Sequence, residues 1–221
     1  MLLYNGLDLE IGYLPLIIKS SRNSRIQPGQ KGNLDCSRYV NAIEKPLSEI
    51  DRSMGDVHPY GNPHYHLSPE NVLKVAEGVT EALSEIDGRN AGFYRGNLAS
   101  FKERLIERQK QWNGALKGKR FIAFHRYFEY LAKDLGFRIE GYVESKPGIP
   151  PSSGHIAGLI ENISKTKPDG ILTTAFYGKK EVEFLSGKTG VKGIVVPHEV
   201  GSQDDIKDWF TLMDRVIKSL K

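Results

Sequence analysis

The chain has one cysteine, Cys36, in 221 residues. That excludes an intramolecular disulfide and every zinc site built from several thiolates. It has no apolar run long enough to span a bilayer, and Met1 leads into Leu2, Leu3 and Tyr4 without the basic start and cleavage site of a secretory leader. The glycines at 6, 12, 29 and 32 make no dinucleotide or phosphate-loop spacing, and no HExxH pattern occurs. Charge of one sign is also scarce: 31 Lys and Arg face 27 Asp and Glu, a net +4. The basic residues are scattered, with no helix-turn-helix or zinc-finger pattern, so they read as solvated surface and no nucleic-acid partner is expected. The length permits one large or two small domains with real cores.

The most informative stretch present is Gly61 to Pro69, GNPHYHLSP. His64 and His66 alternate across Tyr65, so a strand here would project both imidazoles from one face. Ser68, Pro69 and Glu70 then read as N-cap, first helical residue and first-turn acid. The helix that follows places Val72, Val75, Ala76, Val79, Leu83 and Ile86 on one face and stops at Asp87 and Gly88.

From Asn90 to Leu116 the residues Tyr94, Leu98, Phe101, Leu105, Trp112 and Leu116 recur at spacings of three, four or seven. This predicts one long helix, on the order of 40 Å. The segment from Ser20 to Asn62 carries no sustained period and reads as a long loop, functional or mobile, with a candidate strand at Arg38 to Ile43. The domain division is therefore 1–89, a linking helix at 90–117, and 118–221.

After Lys117, apolar runs at Arg120 to Phe124, Arg138 to Val143, Gly170 to Thr174 and Val191 to Val196 alternate with helical patterns at Tyr127 to Leu135, His155 to Ser164, Lys179 to Thr189 and Asp204 to Leu220. Such alternation predicts right-handed crossovers and an α/β fold with a parallel sheet. Ligands of such sheets sit beyond the carboxyl ends of the strands. His125 directly follows the first of these strands and His198 the last, so both belong to that rim. With His64 they form a candidate three-histidine metal site, since imidazole is the commonest zinc ligand.

Several segments resemble, in order, the zinc and manganese solute-binding proteins of ABC-type metal importers, the cluster A-I family. LLYNGLDLE resembles that family's YNGLGLE-like turn, and GNPHYHLSPENV resembles NPHVWLDPENA. FIAFHRYFEYLAKDLGF resembles TFHDAFGYFAKRYGL, and GYVESKPGIPPSSGHIAGLIE resembles the Pro-rich turn and helix after it. The resemblance implies two lobes of parallel sheet and helices joined by one long rigid helix, with a transition metal in the cleft. It implies metal ligands at His64, at His125 and at His198 or Glu199.

The resemblance also implies a first ligand upstream of the YNG motif, so Met1 is expected to be an internal start or a truncation and the amino-terminal lobe to be incomplete. Three histidines alone would leave a coordination position for water. The nitrogen-rich set suits Zn2+ better than Mn2+, although the stretch from Asn23 to Asn62 holds only His58 where zinc members often carry a His-rich acidic loop. The implied role is capture of the ion outside the cytoplasm, in the periplasm or anchored at the cell surface, by a monomer that delivers it to ABC permease membrane subunits.

Further candidates remain for a ligand or for orienting one: His66, Glu144 beside Lys146 and the PGIPP turn, and Glu129, four residues after His125 and on the same helical face if the helix starts early enough. Tyr65 and Tyr127 either shield the metal or pack, and His155 opens a helix with no partner assigned. The competing class is a metal-dependent hydrolase in which a three-histidine zinc activates water, which needs a general base on that water.

Overall fold

The computed structural model describes residues 1–46, 55 and 57–221. They divide into two compact units: 1–46 with His58–Ile106, and 55 and 57 with Glu107–Lys221. Residues 47–54 and 56, part of the segment expected as a long loop, lie outside the described residues.

The first unit holds a parallel pair of three-residue strands, β1 (Leu2–Tyr4) and β2 (Asn33–Asp35), in the register Leu2 to Asn33 and Tyr4 to Asp35. Between them lies α1 (Leu14–Ser21), which ends where Arg22 turns left-handed at φ 51°. Its apolar residues buried only Ile18, leaving Leu16 and Ile17 exposed, so no one-sided period marked it in the sequence. The candidate strand at Arg38 to Ile43 is not formed. Asp35 accepts the amide of Ser37 at 2.9 Å and winds Cys36–Tyr39 into a 3-10 turn instead, the usual competition between a short polar side chain and the strand ladder.

α2 (Pro69–Ile86) begins as expected, with Ser68 accepting the amide of Asn71 at 3.1 Å and Pro69 in the first turn. Tyr39 packs over Gly78 of this helix, where a Cβ would sit 2.2 Å from the ring. α3 (Ala91–Trp112) is continuous through Leu105. Its residues to Ile106 fall in the first unit and those from Glu107 in the second. The predicted stripe is its less exposed side, and Leu105 and Trp112 are buried.

The second unit carries a four-stranded, wholly parallel sheet in the order β4-β3-β5-β6. The strands are β3 (Arg120–Ala123), β4 (Arg138–Tyr142), β5 (Gly170–Thr174) and β6 (Gly193–Val196). α4 (Glu129–Leu135), α5 (Ser153–Thr166) and α6 (Lys179–Thr189) cross between them, and α7 (Trp209–Leu220) closes the chain. β5 is buried along its whole length, as a central strand covered on both faces must be. Ile122, Phe124, Val143, Leu159, Ile163, Ile171, Val182 and Leu185 form the core between sheet and helices. Each fully buried aliphatic side chain contributes about 1.5–3 kcal/mol.

The last helix starts at Trp209, not at Asp204, because Asp208 and Thr211 make a reciprocal capping box. Its buried face, Phe210 to Leu220, meets the end of α3: Trp112 donates to Asp214 at 2.8 Å, and Arg108 pairs with the same carboxylate at 2.6 Å.

Candidate functional site

The strand order makes β3 the point where the chain reverses direction across the sheet. It steps from β3 outward to β4, then returns to pair β5 on the other side of β3. The crevice at such a switch lies beyond the carboxyl ends of β3 and β5. His125 stands one residue past the extended pairing of β3, where the amide of Phe124 still donates to Leu172 at 2.7 Å.

The β3–β4 pairing also runs on, with the amide of Glu144 donating to the carbonyl of Phe124 at 3.0 Å. That register sets Glu144 beside His125, its Oε2 2.7 Å from Nδ1 of the imidazole. A carboxylate only accepts, so Nδ1 carries the proton and Nε2 is the basic nitrogen of the ring. Tyr177, on the loop after β5, stacks on the other side of the site, 4.9 Å from His125 between ring centroids and 15° from parallel.

His198 lies beyond β6 on the same rim, with Nε2 3.0 Å from Oε1 of its neighbour Glu199. Tyr127 donates its hydroxyl to the His198 carbonyl. Burial holds the Tyr127 phenol far above its ordinary range, and the nearby Tyr177 and Glu199 add to that.

His64 belongs to the first unit and is buried. The expected strand at His64 to His66 is a 3-10 turn, Tyr65–Leu67, so the two imidazoles do not share a strand face. Their rings meet edge to face at 6.4 Å. A polar network fixes the turn: His64 donates its amide to Asn62 Oδ1 at 2.9 Å, and Tyr65 donates its hydroxyl to the Asn5 carbonyl at 2.5 Å. Asn5 also donates its side-chain amide to the Pro63 carbonyl at 3.0 Å. The buried Glu10 in turn accepts the amides of Asn5 and Gly6 at 2.7 and 3.1 Å.

Asn5, Glu10, Asn62, Phe176 and Tyr177 were not picked out from the sequence as site residues. Asn5 and Glu10 did stand in the LLYNGLDLE motif, the one signal pointing to them. His125 and Glu129 do not share a helical face, because α4 begins only at Glu129, whose Oε1 accepts the Tyr142 hydroxyl at 2.8 Å. His155 donates Nε2–H to the Tyr142 carbonyl at 3.0 Å, a structural use of that ring. The PGIPP turn closes on itself through a Lys146 to Ile149 bridge.

Among the described residues of either unit, no three His, Cys, Asp or Glu side chains form a group that could hold a metal ion by themselves. What the second unit supplies is a pair of rim imidazoles, each beside a carboxylate: His125 on the little-exposed Glu144 and His198 on the exposed Glu199.

The zinc-binding protein AdcA of Streptococcus pyogenes is 29% identical over 167 residues, which cover 72% of this chain and 32% of that protein. The zinc-binding lipoprotein AdcA of Streptococcus pneumoniae is 29% identical over 185 residues, 80% of this chain and 37% of that protein. This chain thus spans about a third of the length of the curated relatives it matches. A crystal structure of ZnuA matches 99% of this chain and 77% of its own, with a TM-score of 0.76 at 20% identity. A Mn-bound periplasmic metal binding protein from Candidatus Liberibacter asiaticus matches with a TM-score of 0.73, also at 20% identity, covering 99% of this chain and 80% of that one. At these identities the likeness shows the fold.

Residues 1–221 match throughout the family described as ZnuA, zinc-uptake complex component A, periplasmic. That family consists of metal-binding transport proteins and not of enzymes, which removes the hydrolase alternative. The chain belongs to the family of periplasmic zinc-uptake complex component A.

Proposed function

We propose that this chain captures one divalent transition-metal ion outside the cytoplasm and, as a monomer, delivers it to the membrane subunits of an ABC permease. The ligands are His64, His125 and His198, with Glu199 beside His198 as the alternative oxygen donor. The observation that carries this reading is Glu144 on Nδ1 of His125 at 2.7 Å. A carboxylate behind an imidazole fixes its tautomer and aims Nε2 outward, the arrangement metal-ligating histidines use. The zinc-binding relatives support the choice of metal, and so does the donor set. Nitrogen ligands suit zinc, whereas manganese favours carboxylate, carbonyl and water. Metal binding in the Mn-bound neighbour keeps Mn2+ as the second ion to test.

The deciding experiment titrates the chain with zinc against a competing chelator at neutral pH. One zinc per chain is expected, with thermal stabilisation that rises with zinc concentration. His64→Ala and His125→Ala should each weaken binding at least about tenfold, and His198→Ala less if Glu199 takes its place. Zinc uptake that survives both His64→Ala and His125→Ala unchanged sinks the reading.

A further inference from the structure

Phe176 is 77% exposed on the loop between β5 and α6. A ring so exposed gains little from burial in the core, which it meets through its edge-to-face contact with Tyr177 at 6.1 Å. Its ring instead lies against His198, 5.3 Å between centroids and tilted 50°. The next residue, Tyr177, stacks on His125. One dipeptide thus touches both rim imidazoles of the second unit.

The loop is built to hold these two rings in place. Thr173 and Thr174, each 1% exposed, end the most buried strand of the sheet. Thr173 donates Oγ1–H to the Tyr177 carbonyl at 2.5 Å, and the amides of Phe176 and Tyr177 return to Thr174 Oγ1 and its carbonyl, both at 3.3 Å. Tyr177 also stacks on Phe124, 6.3 Å away and 20° from parallel, which ties it to the core. Gly178 then turns left-handed at φ 45° where a Cβ would fall 1.7 Å from the Phe124 ring. Only glycine lets the backbone pass so close.

We propose that Tyr177 and Phe176 are positioning residues for the metal: Tyr177 fixes the plane of His125, Phe176 excludes water from His198, and together they set how slowly a bound divalent cation leaves. This rests on the reading of His125 and His198 as ligands. Glu144 holds one edge of the His125 ring and Tyr177 one face, so Nε2 is aimed without further cost when a metal arrives. An aromatic contact of this kind is worth a few-fold to about tenfold in an equilibrium. Excluding water from His198 slows its displacement as a ligand.

The test loads the full chain with zinc and follows release into excess EDTA by stopped flow, for the wild type and for Phe176→Ala, Tyr177→Ala and Tyr177→Phe. Phe176→Ala and Tyr177→Ala should release zinc a few-fold to about tenfold faster, whereas Tyr177→Phe keeps the ring and the wild-type rate. With cobalt in place of zinc, Tyr177→Ala should shift the visible absorption and Tyr177→Phe should not. Phe176→Ala, at an exposed position, should leave the metal-free melting temperature unchanged, so it carries the test even if Tyr177→Ala does not fold. Wild-type release rates in both alanine variants overturn this inference alone. A wild-type chain that takes up no zinc overturns it together with the functional reading.

Discussion

Glu144 Oε2 and His125 Nδ1 stand 2.7 Å apart with their side chains only 9% and 12% exposed. The pair exists because β3 and β4 run parallel in a register that ends each strand at the same height. Glu144→Gln preserves the shape but offers an amide that can donate to Nδ1 and stabilise the wrong tautomer. Zinc affinity should fall about ten- to hundredfold, read by chelator competition. An unchanged affinity would separate Glu144 from the work of His125.

Glu10 ties the YNG turn to the His64 segment through Asn5. Glu10→Ala leaves the Asn5 and Gly6 amides without their acceptor, and a buried unpaired donor costs about 1–3 kcal/mol. The loss should appear as a lower urea midpoint with an unchanged slope. Asn5→Ala, which removes the donor to Pro63, should destabilise less. Midpoints equal to wild type in both variants would show that the network does not hold the turn.

Gly78 sits inside α2, where alanine ordinarily gains about 1 kcal/mol over glycine. Here the added Cβ would lie 2.2 Å from the Tyr39 ring, and overpacking costs about 1–3 kcal/mol. The clash should win, so Gly78→Ala destabilises. In a Tyr39→Ala background the sign should reverse, and a double-mutant cycle measures the coupling. Additive effects would mean that Tyr39 moves aside freely.

Alkali should unfold this protein sooner than neutral pH suggests. Burial, helped by Asp35, pushes the Cys36 thiol up from 9.0 to about 11, and burial raises the Tyr127 phenol as well. The folded chain therefore keeps protons that the unfolded chain releases. The associated stability is full below pH 9.0 and is lost as the pH climbs toward about 11. Denaturation midpoints measured from about pH 8 to about 10.5 should fall, and Cys36→Ala should flatten the first part of that fall. A flat profile in the wild type would contradict the assignment.

Elements with strong local signals were legible in the chain itself. Ser68, Pro69 and the apolar stripe after them mark α2 without reference to the rest of the molecule, because cap and period are local physics. The alternation after Lys117 likewise fixes a parallel α/β sheet, and with it the rim positions of His125 and His198. Tertiary structure decided which groups meet. Nothing local joins Glu144 to His125 across 19 residues, or Asn5 to Pro63 across 58; strand register and turn packing do that. The turn at His64 shows the same limit, since its alternating histidines suit a strand, yet the Asn62 and Asn5 hydrogen bonds win the backbone for a 3-10 turn. Sequence sets the period and the caps, whereas non-local contacts choose among the conformations that the period leaves open.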